Sequence, residues 1–168
     1  MKRLLGKMVM RITGWRVEGS LPDTPKLVLI AAPHTSNWDL LYLLTLAWSV
    51  DIRVAWMGKH SLFRGPLGLV MRSFGGIPVR RDRRNDLVQQ MAERFAKADR
   101  LVLTVQPEAT RARVEFWKSG FYRIAMAAGV PIHLGFLDYE RRTGGFGASV
   151  TPTGDIAADM TVIRDFYA

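Results

Sequence analysis

Two short runs of almost purely apolar residues, 27–32 and 101–105, place the strongest limit on how this chain can fold. A strand with one face in water alternates apolar and polar side chains, so runs without that alternation are typical of strands covered on both faces. Helix-like and strand-like segments alternate along most of the chain, whose 168 residues fit a single domain. We therefore predict a single-domain α/β fold with a mainly parallel or mixed central sheet flanked by helices.

Apolar periodicity and turn residues set the expected elements. Helices are predicted over residues 1–17, 38–50, 86–98, 116–128 and 156–167, and strands over residues 26–32, 53–58, 75–81, 101–105, 132–137 and 148–153. Residues 62–74 are expected to form only a short segment, because Gly65, Pro66 and Gly68 interrupt it. Residues 141–145 are expected to turn, which leaves Gly145-Phe146-Gly147 between strands, and the last hairpin suggests an antiparallel edge.

His34 and Asp39 form a candidate acid/base pair directly after the first apolar run. Ser36 or Asn37 can cap a helix whose first turn contains Asp39, and that turn can bring Asp39 back onto His34. A carboxylate on one imidazole nitrogen fixes the tautomer and leaves the other nitrogen free to accept a proton. The spacing alone is weak evidence, and a loop histidine beside a helix-capping aspartate is the alternative.

Four polar residues share a position just beyond predicted strand ends: His34, Lys59, Arg81 and Glu108. In sheets with parallel strands, sites gather at the carboxyl ends of the strands, so these residues are predicted to lie near one another. Arg81 belongs to a cluster of arginines that also includes Arg80, Arg83 and Arg84. Such a cluster is either a solvated surface or a phosphate clamp of bidentate guanidinium groups.

The charge balance predicts an anionic partner. A formal net charge of +9 attracts nucleic acid, anionic membrane or acidic carrier proteins, and composition does not choose among them. The chain has no cysteine, which excludes disulfides, thiolate metal sites and a cysteine nucleophile. His34, His60 and His133 have no ligand spacing, so no metal is expected. The sequence also lacks a Gly-x-Ser-x-Gly elbow and a Gly-Lys-Ser phosphate loop.

Residues 1–17 predict a basic amphipathic helix. Its apolar residues recur at helical spacing, and Lys2, Arg3, Lys7 and Arg11 fall mostly on the opposite face. The segment is too short and too charged to span a bilayer, and it lacks the features of a signal peptide. It fits a helix in the membrane interface with Trp15 at the headgroups, or an ordinary helix packed on the domain. We divide the chain accordingly into residues 1–17, a possible membrane anchor, and residues 18–168.

Four ordered blocks resemble the glycerolipid acyltransferase family, which includes lysophosphatidic acid acyltransferases. His34-Thr35-Ser36-Asn37-Trp38-Asp39 matches the family's His-x4-Asp signature, and Gly75-Gly76-Ile77-Pro78-Val79-Arg80-Arg81 is similar to its second block. Pro107-Glu108-Ala109-Thr110-Arg111 is similar to the Pro-Glu-Gly-Thr-Arg block, and Val130-Pro131-Ile132 to the fourth. The resemblance covers residues 26–137. Ala109 in place of glycine, and Gln106 in place of an apolar residue, bear on the acceptor more than on the chemistry.

The resemblance implies an acyltransferase domain with His34 and Asp39 as its catalytic residues. It assigns Lys59, Arg81, Glu108 and Arg111 to substrate binding, with Arg81 and Lys59 near the acceptor phosphate. The acyl donor would be acyl-CoA or acyl carrier protein, and the acceptor a lysolipid such as 1-acylglycerol-3-phosphate. No cofactor and no metal are implied. The expected location is cytoplasmic, at the inner face of an anionic membrane.

Two other functions remain open at this point. One is acyl transfer to an acceptor without phosphate, such as a lipoamino acid or a glycolipid. The other is a non-catalytic basic module that binds membrane or nucleic acid, which explains the charge but not the pairing of His34 with Asp39. A nucleic-acid reader usually exposes aromatic side chains among its basic residues, whereas the tryptophans here lie mostly in apolar contexts, so no nucleic-acid partner is expected.

Overall fold

The computed structural model describes residues 1–32, 38–79, 84–108 and 117–168. The helices are α1 (Lys2–Thr13), α2 (Trp38–Ser49), α3 (Gly65–Ser73), α4 (Arg84–Lys97), α5 (Gly120–Ala128) and α6 (Ile156–Tyr167), with a 3₁₀ turn at His60–Phe63 before α3. The strands are β1 (Arg16–Glu18), β2 (Lys26–Ala32), β3 (Val54–Lys59), β4 (Gly76–Val79), β5 (Leu101–Val105), β6 (Ile132–Asp138) and β7 (Thr143–Val150).

The strands form one seven-stranded mixed sheet in the order β1-β7-β6-β2-β5-β3-β4. Strands β2 to β6 run parallel, β7 runs antiparallel to β6, and β1 pairs in parallel with β7. The predicted fold class is confirmed. The predicted antiparallel pairing of the last hairpin is confirmed, but the prediction that it forms the edge is wrong, because the unpredicted strand β1 pairs with β7 and forms the edge.

Both faces of the sheet carry helices, as the apolar runs predict. Strand β2 shows why: Leu27 and Leu29 pack with α1 and α2, whereas Val28 and Ile30 pack with α4, α5 and α6. Its residues 27–30 are at most 1% exposed. We call α1, α2 and α3 the first layer, and α4, α5 and α6 the second layer.

The N-terminal helix is shorter than predicted. It ends at Thr13, where Gly14 adopts a left-handed conformation (φ 72°), and Arg16–Glu18 then enter the sheet as β1. Trp15 is 7% exposed and belongs to the core of the first layer, so its prediction as a headgroup contact is wrong. A boundary after residue 17 therefore falls inside a strand of the sheet.

Two other local predictions are wrong. Residues 65–73 form a nine-residue helix, because Pro66 lies in the first turn, where a missing N–H costs nothing, and Gly68 lies at a close contact. Gly145-Phe146-Gly147 lies within β7 rather than in a turn. The glycines of this motif thus allow close packing, since a Cβ at Gly147 would lie 2.2 Å from the ring of Phe166.

The order of the strands creates a topological switch point at the carboxyl ends of β2 and β5. The chain leaves β2 through α2 toward β3, and it leaves the neighbouring β5 through α5 toward β6 on the other side. Helix α2 belongs to the first layer and α5 to the second, so the two connections diverge from this point. Open α/β sheets bind ligands at such a switch point.

Candidate active site

The carboxyl edge of the sheet holds the described members of the predicted site. Lys59 is the last residue of β3, Glu108 follows the end of β5 by three residues, and Asp39 lies in the first turn of α2, the helix after β2. His34, Arg81 and Arg111 lie outside the described residues, so their placement stays a prediction. The structure therefore brings chain segments from β2, β3 and β5 to one edge.

Asp39 is a buried carboxylate at a helix N-terminus. It is 3% exposed, although an unpaired aspartate is almost never fully buried. Its Oδ1 atom accepts a hydrogen bond from the hydroxyl of Tyr139. The positive end of the α2 dipole also favours a negative charge in the first turn. This environment suits a carboxylate whose position and orientation are fixed.

Tyr139 follows β6 directly and is held by two aromatic neighbours. Its ring meets Trp15 edge-on at 5.2 Å and Tyr42 at 5.8 Å, while Trp15 and Tyr42 stack at 4.3 Å. Burial raises the pKa of Tyr139, and the hydrogen bond to Asp39 and the charge of Asp39 raise that pKa further. The phenol therefore stays protonated and donates at any physiological pH.

Glu108 lies on the second-layer side of the same edge. It is 7% exposed, and its charge contributes, after burial, to the raised pKa of Tyr167. Tyr167 ends α6, donates to the backbone oxygen of Gly135 in β6 (2.7 Å) and meets the ring of Trp117 at 5.2 Å. The last turn of the chain thus packs close to the candidate site.

Lys59 is exposed at the end of β3, on the far side of β5 from β2. In the parallel pairing of β3 with β4 it lies opposite Val79, the last described residue before the arginine cluster. His60 is also exposed and begins the 3₁₀ turn. An exposed lysine at this place is accessible to an anionic group in solution or at a membrane surface.

Other histidines and carboxylates of the described chain form no metal site. His133 is buried in β6, where its Nδ1 atom lies 2.7 Å from the hydroxyl of Ser149, and burial lowers its pKa. Within residues 1–32, 38–79, 84–108 and 117–168, no group of three or more His, Cys, Asp or Glu side chains could hold a metal ion. No helix in those ranges is both long enough and apolar enough to cross a bilayer.

Sequence reasoning missed Tyr139 and Tyr167. Tyr139 could have been found, because it follows a predicted strand end just as His34, Lys59 and Glu108 do. The same rule of strand ends, extended to the strand at residues 132–137, points to it. Tyr167 carried no such signal, since only the packing of α6 against β6 brings it near Glu108.

Comparison with protein families gives one match that includes all four blocks. The model described as Acyltransferase matches residues 16–133, well over half of the chain. The chain belongs to the acyltransferase family. The family resemblance drawn from the blocks is thereby confirmed.

The fold also has a solved relative. The crystal structure of PlsC from Thermotoga maritima, a 1-acyl-sn-glycerophosphate (LPA) acyltransferase, aligns with a TM-score of 0.67 at 16% sequence identity. The alignment covers 98% of this chain and 76% of that chain. At this identity the likeness establishes the fold alone. Comparison with curated proteins gives no significant match.

Proposed function

We propose that this acyltransferase moves a fatty acyl group from a thioester to a hydroxyl of a lysophospholipid such as 1-acylglycerol-3-phosphate. The observation that carries the proposal is the burial of Asp39 at the start of α2, held by Tyr139 and placed five residues after His34 in the chain. The structurally similar PlsC is a 1-acyl-sn-glycerophosphate acyltransferase, which supports the same class of acceptor.

The chemical step needs one base and no cofactor. His34, oriented by Asp39, accepts the proton of the acceptor hydroxyl while the oxygen attacks the thioester carbonyl carbon. The new C–O ester bond forms, the C–S bond breaks, and His34 returns the proton to the departing thiolate. General-base assistance contributes about 10²–10⁴ in rate, so positioning of the acceptor supplies much of the rest.

Cationic side chains at the carboxyl edge would bind the acceptor headgroup. Lys59 supplies an exposed ammonium at the end of β3, and Arg81 and Arg111 are assigned the same region through the family blocks. Guanidinium groups bind phosphate in a bidentate manner, which suits an acceptor phosphate. Glu108 would hydrogen-bond an acceptor hydroxyl or anchor these cations. The donor, acyl-CoA or acyl carrier protein, is anionic and suits the same positive surface.

A screen of donors against acceptors tests the proposal. Acyl-CoA and acyl carrier protein are each combined with lysophosphatidic acid, other lysophospholipids and lipids without phosphate, and the products are read by mass spectrometry with His34→Ala as blank. We expect transfer to a phosphate-bearing lysolipid that His34→Ala abolishes. Transfer only to acceptors without phosphate, with unchanged acceptor affinity in Arg81→Ala, would favour the other acyltransferase function. Salt-sensitive binding to DNA or RNA without any acyl transfer would contradict the enzyme mechanism.

Helix α1 supports peripheral binding at the inner face of an anionic membrane. Its outward residues Leu4, Leu5, Met8 and Ile12 are exposed, and its lysines and arginines lie beside them. A helix of this kind binds through buried apolar area and through attraction to anionic lipid. This surface favours a cytoplasmic enzyme whose lipid acceptor stays in the membrane.

The anchor test must leave β1 intact. Deletion of residues 1–17 would remove buried Trp15 and part of a strand, so replacement of Leu4, Leu5, Met8 and Ile12 by serine is the better change. We expect the variant to lose most of its co-sedimentation with anionic vesicles. Equal binding by both forms would contradict the anchor.

A further inference from the structure

Helix α3 exposes its large apolar side chains instead of burying them. Leu67, Leu69 and Val70 are exposed, Leu69 at 73%. In the same helix Gly68 is buried and Met71 is half-buried. A surface helix of a water-soluble domain directs its apolar residues inward. Contiguous exposed apolar side chains mark an interaction surface.

Gly68 lies where α3 makes a close contact with the 3₁₀ turn before it. A Cβ at Gly68 would lie 2.2 Å from the backbone oxygen of Phe63, so this close contact requires the absence of a side chain. Helix α1 also makes a close contact through a glycine, since a Cβ at Gly6 would lie 2.6 Å from the backbone oxygen of Thr45 in α2. In both helices a glycine thus lies at the close contact, while large apolar side chains on the outer surface stay exposed.

The end of α3 lies beside the start of α1. The Nζ atom of Lys2, at the start of α1, donates to the backbone oxygen of Ser73 at the end of α3 (2.6 Å). The same ammonium lies 5.6 Å from the ring centre of Trp48 and 5.7 Å from that of Phe74. The two helices with exposed apolar side chains are therefore neighbours in the first layer.

The charges beside α3 match an anionic surface. Exposed Arg64 precedes the helix and exposed Arg72 lies in its last turn, with its guanidinium 5.5 Å from the ring centre of Phe63. No acidic residue occurs between Arg53 and Arg81. Apolar side chains flanked by arginines fit the interface of an anionic bilayer, where the apolar groups enter the acyl boundary and the cations meet headgroups.

We propose that α3 is a second membrane-contacting element, which together with α1 docks the first layer on an anionic lipid surface. The inference rests on the proposed acylation of a membrane lipid. Helix α3 begins six residues after Lys59, so its insertion places the carboxyl end of β3 at the depth of the headgroups. The exposed lysine then meets the phosphate of a lysolipid that has not left the bilayer.

A single-site fluorescent probe tests the contact. The chain has no cysteine, so Leu69→Cys gives one labelling site for an environment-sensitive NBD dye, and Val162→Cys on α6 gives a matched exposed control. We expect the dye at position 69 to brighten and shift to shorter wavelength with phosphatidylglycerol vesicles, with no response at position 162. No response at position 69 with vesicles that co-sediment the protein would overturn the proposal. A response at position 69 that needs only higher protein concentration would place a second copy of the chain there and would also overturn it.

An activity ratio tests the consequence for catalysis. The variant Leu67→Ser/Leu69→Ser/Val70→Ser is compared with Ile156→Ser/Val162→Ser, which alters exposed apolar residues of α6. We expect the ratio of rates on a vesicle-bound acceptor to a water-soluble short-chain acceptor to fall about tenfold in the α3 variant only. An unchanged ratio would overturn the proposal while leaving the proposed function intact. If the wild type acylates neither acceptor, the proposed function fails, and the dye response still decides whether α3 contacts the membrane.

Discussion

The outer surfaces of the two helical layers differ in how many large apolar side chains they expose. The first layer and the turns beside it expose a long series of large apolar side chains: Met1, Leu4, Leu5, Met8, Ile12, Trp38, Leu41, Val50, Leu62, Leu67, Leu69 and Val70. Among the described residues of the second layer the corresponding side chains are Met126, Ile156, Val162 and Phe166. The layer that contributes Asp39 is therefore also the layer whose outer surface we propose to contact lipid.

Each layer also contains a buried aspartate that accepts from a tyrosine. Asp39 accepts from Tyr139 at the edge of the sheet, whereas Asp159 of α6 accepts from Tyr122 of α5 (2.7 Å) and from the backbone and hydroxyl of Thr153. The bonds from Thr153 and Tyr122 lower the pKa of Asp159. The second pair connects α5 and α6 to the segment after β7, so we assign it to structure and propose that only the pair in the first layer serves catalysis.

Replacement of the two aspartates gives the largest expected difference. Asp39→Asn keeps the volume of the side chain but removes the charge that stabilises the imidazolium of His34. We expect kcat/KM for acyl transfer to fall by about 10²-fold or more, with the unfolding midpoint nearly unchanged. Asp159→Asn should lower the free energy of unfolding while the folded fraction keeps its rate. Steady-state kinetics and urea titrations of both variants check this difference. A loss of rate without a loss of stability in Asp159→Asn would contradict the assignment of that residue to structure.

Local patterns could predict most of the fold, and long-range contacts explain what they could not. The strands Lys26–Ala32 and Leu101–Val105 and the helix Ile156–Tyr167 have the predicted bounds, because each has a continuous apolar pattern of its own. Strand β1 is three residues long and is stabilised by pairing with β7, so no local pattern predicts it. The bond between Asp39 and Tyr139 joins residues 100 positions apart, which periodicity cannot detect.

The seating of α1 gives the next largest effect. A methyl group at Gly6 would lie 2.6 Å from the backbone of Thr45 and Ser49, so Gly6→Ala must push α1 away from α2. Although alanine favours helix, we expect a net loss of about 1–2 kcal/mol in the free energy of unfolding. Gly120→Ala, at the open start of α5 in the second layer, meets nothing within 4 Å and should not destabilise the protein. Equal urea midpoints for both variants would show that α1 is not packed through Gly6.

Removal of one hydroxyl sharpens the role of Tyr139. Tyr139→Phe keeps the aromatic contacts with Trp15 and Tyr42 but removes the donor to Asp39. We expect kcat to fall about tenfold with KM unchanged, because Asp39 then orients His34 less well. Steady-state kinetics of Tyr139→Phe measure both constants.

Tyr42→Phe is the matched control for that variant. Tyr42 belongs to the same aromatic cluster, and the hydrogen bonds of the described residues give it no bond to Asp39. Its kcat should match the wild type. An equal loss of rate in both variants would assign Tyr139 to packing alone.

The smallest expected effect separates the layers by pH. Buried His133 shares the face of β6 that packs with Phe146 and the first-layer core, and burial lowers its pKa from 6.5. The unfolded chain therefore binds more protons below pH 6.5, and stability should fall there by at most about 1.4 kcal/mol per pH unit.

Asp159 has a pKa below 3.8 in the folded state, so its contribution is present above pH 3.8 and is lost only as the pH falls further. His133→Asn, which can keep the bond to Ser149, should flatten the stability curve between pH 6.5 and 5, and Asp159→Asn should not. Chemical denaturation at each pH measures both slopes, and an unchanged slope in His133→Asn would assign the loss between pH 6.5 and 5 to other groups.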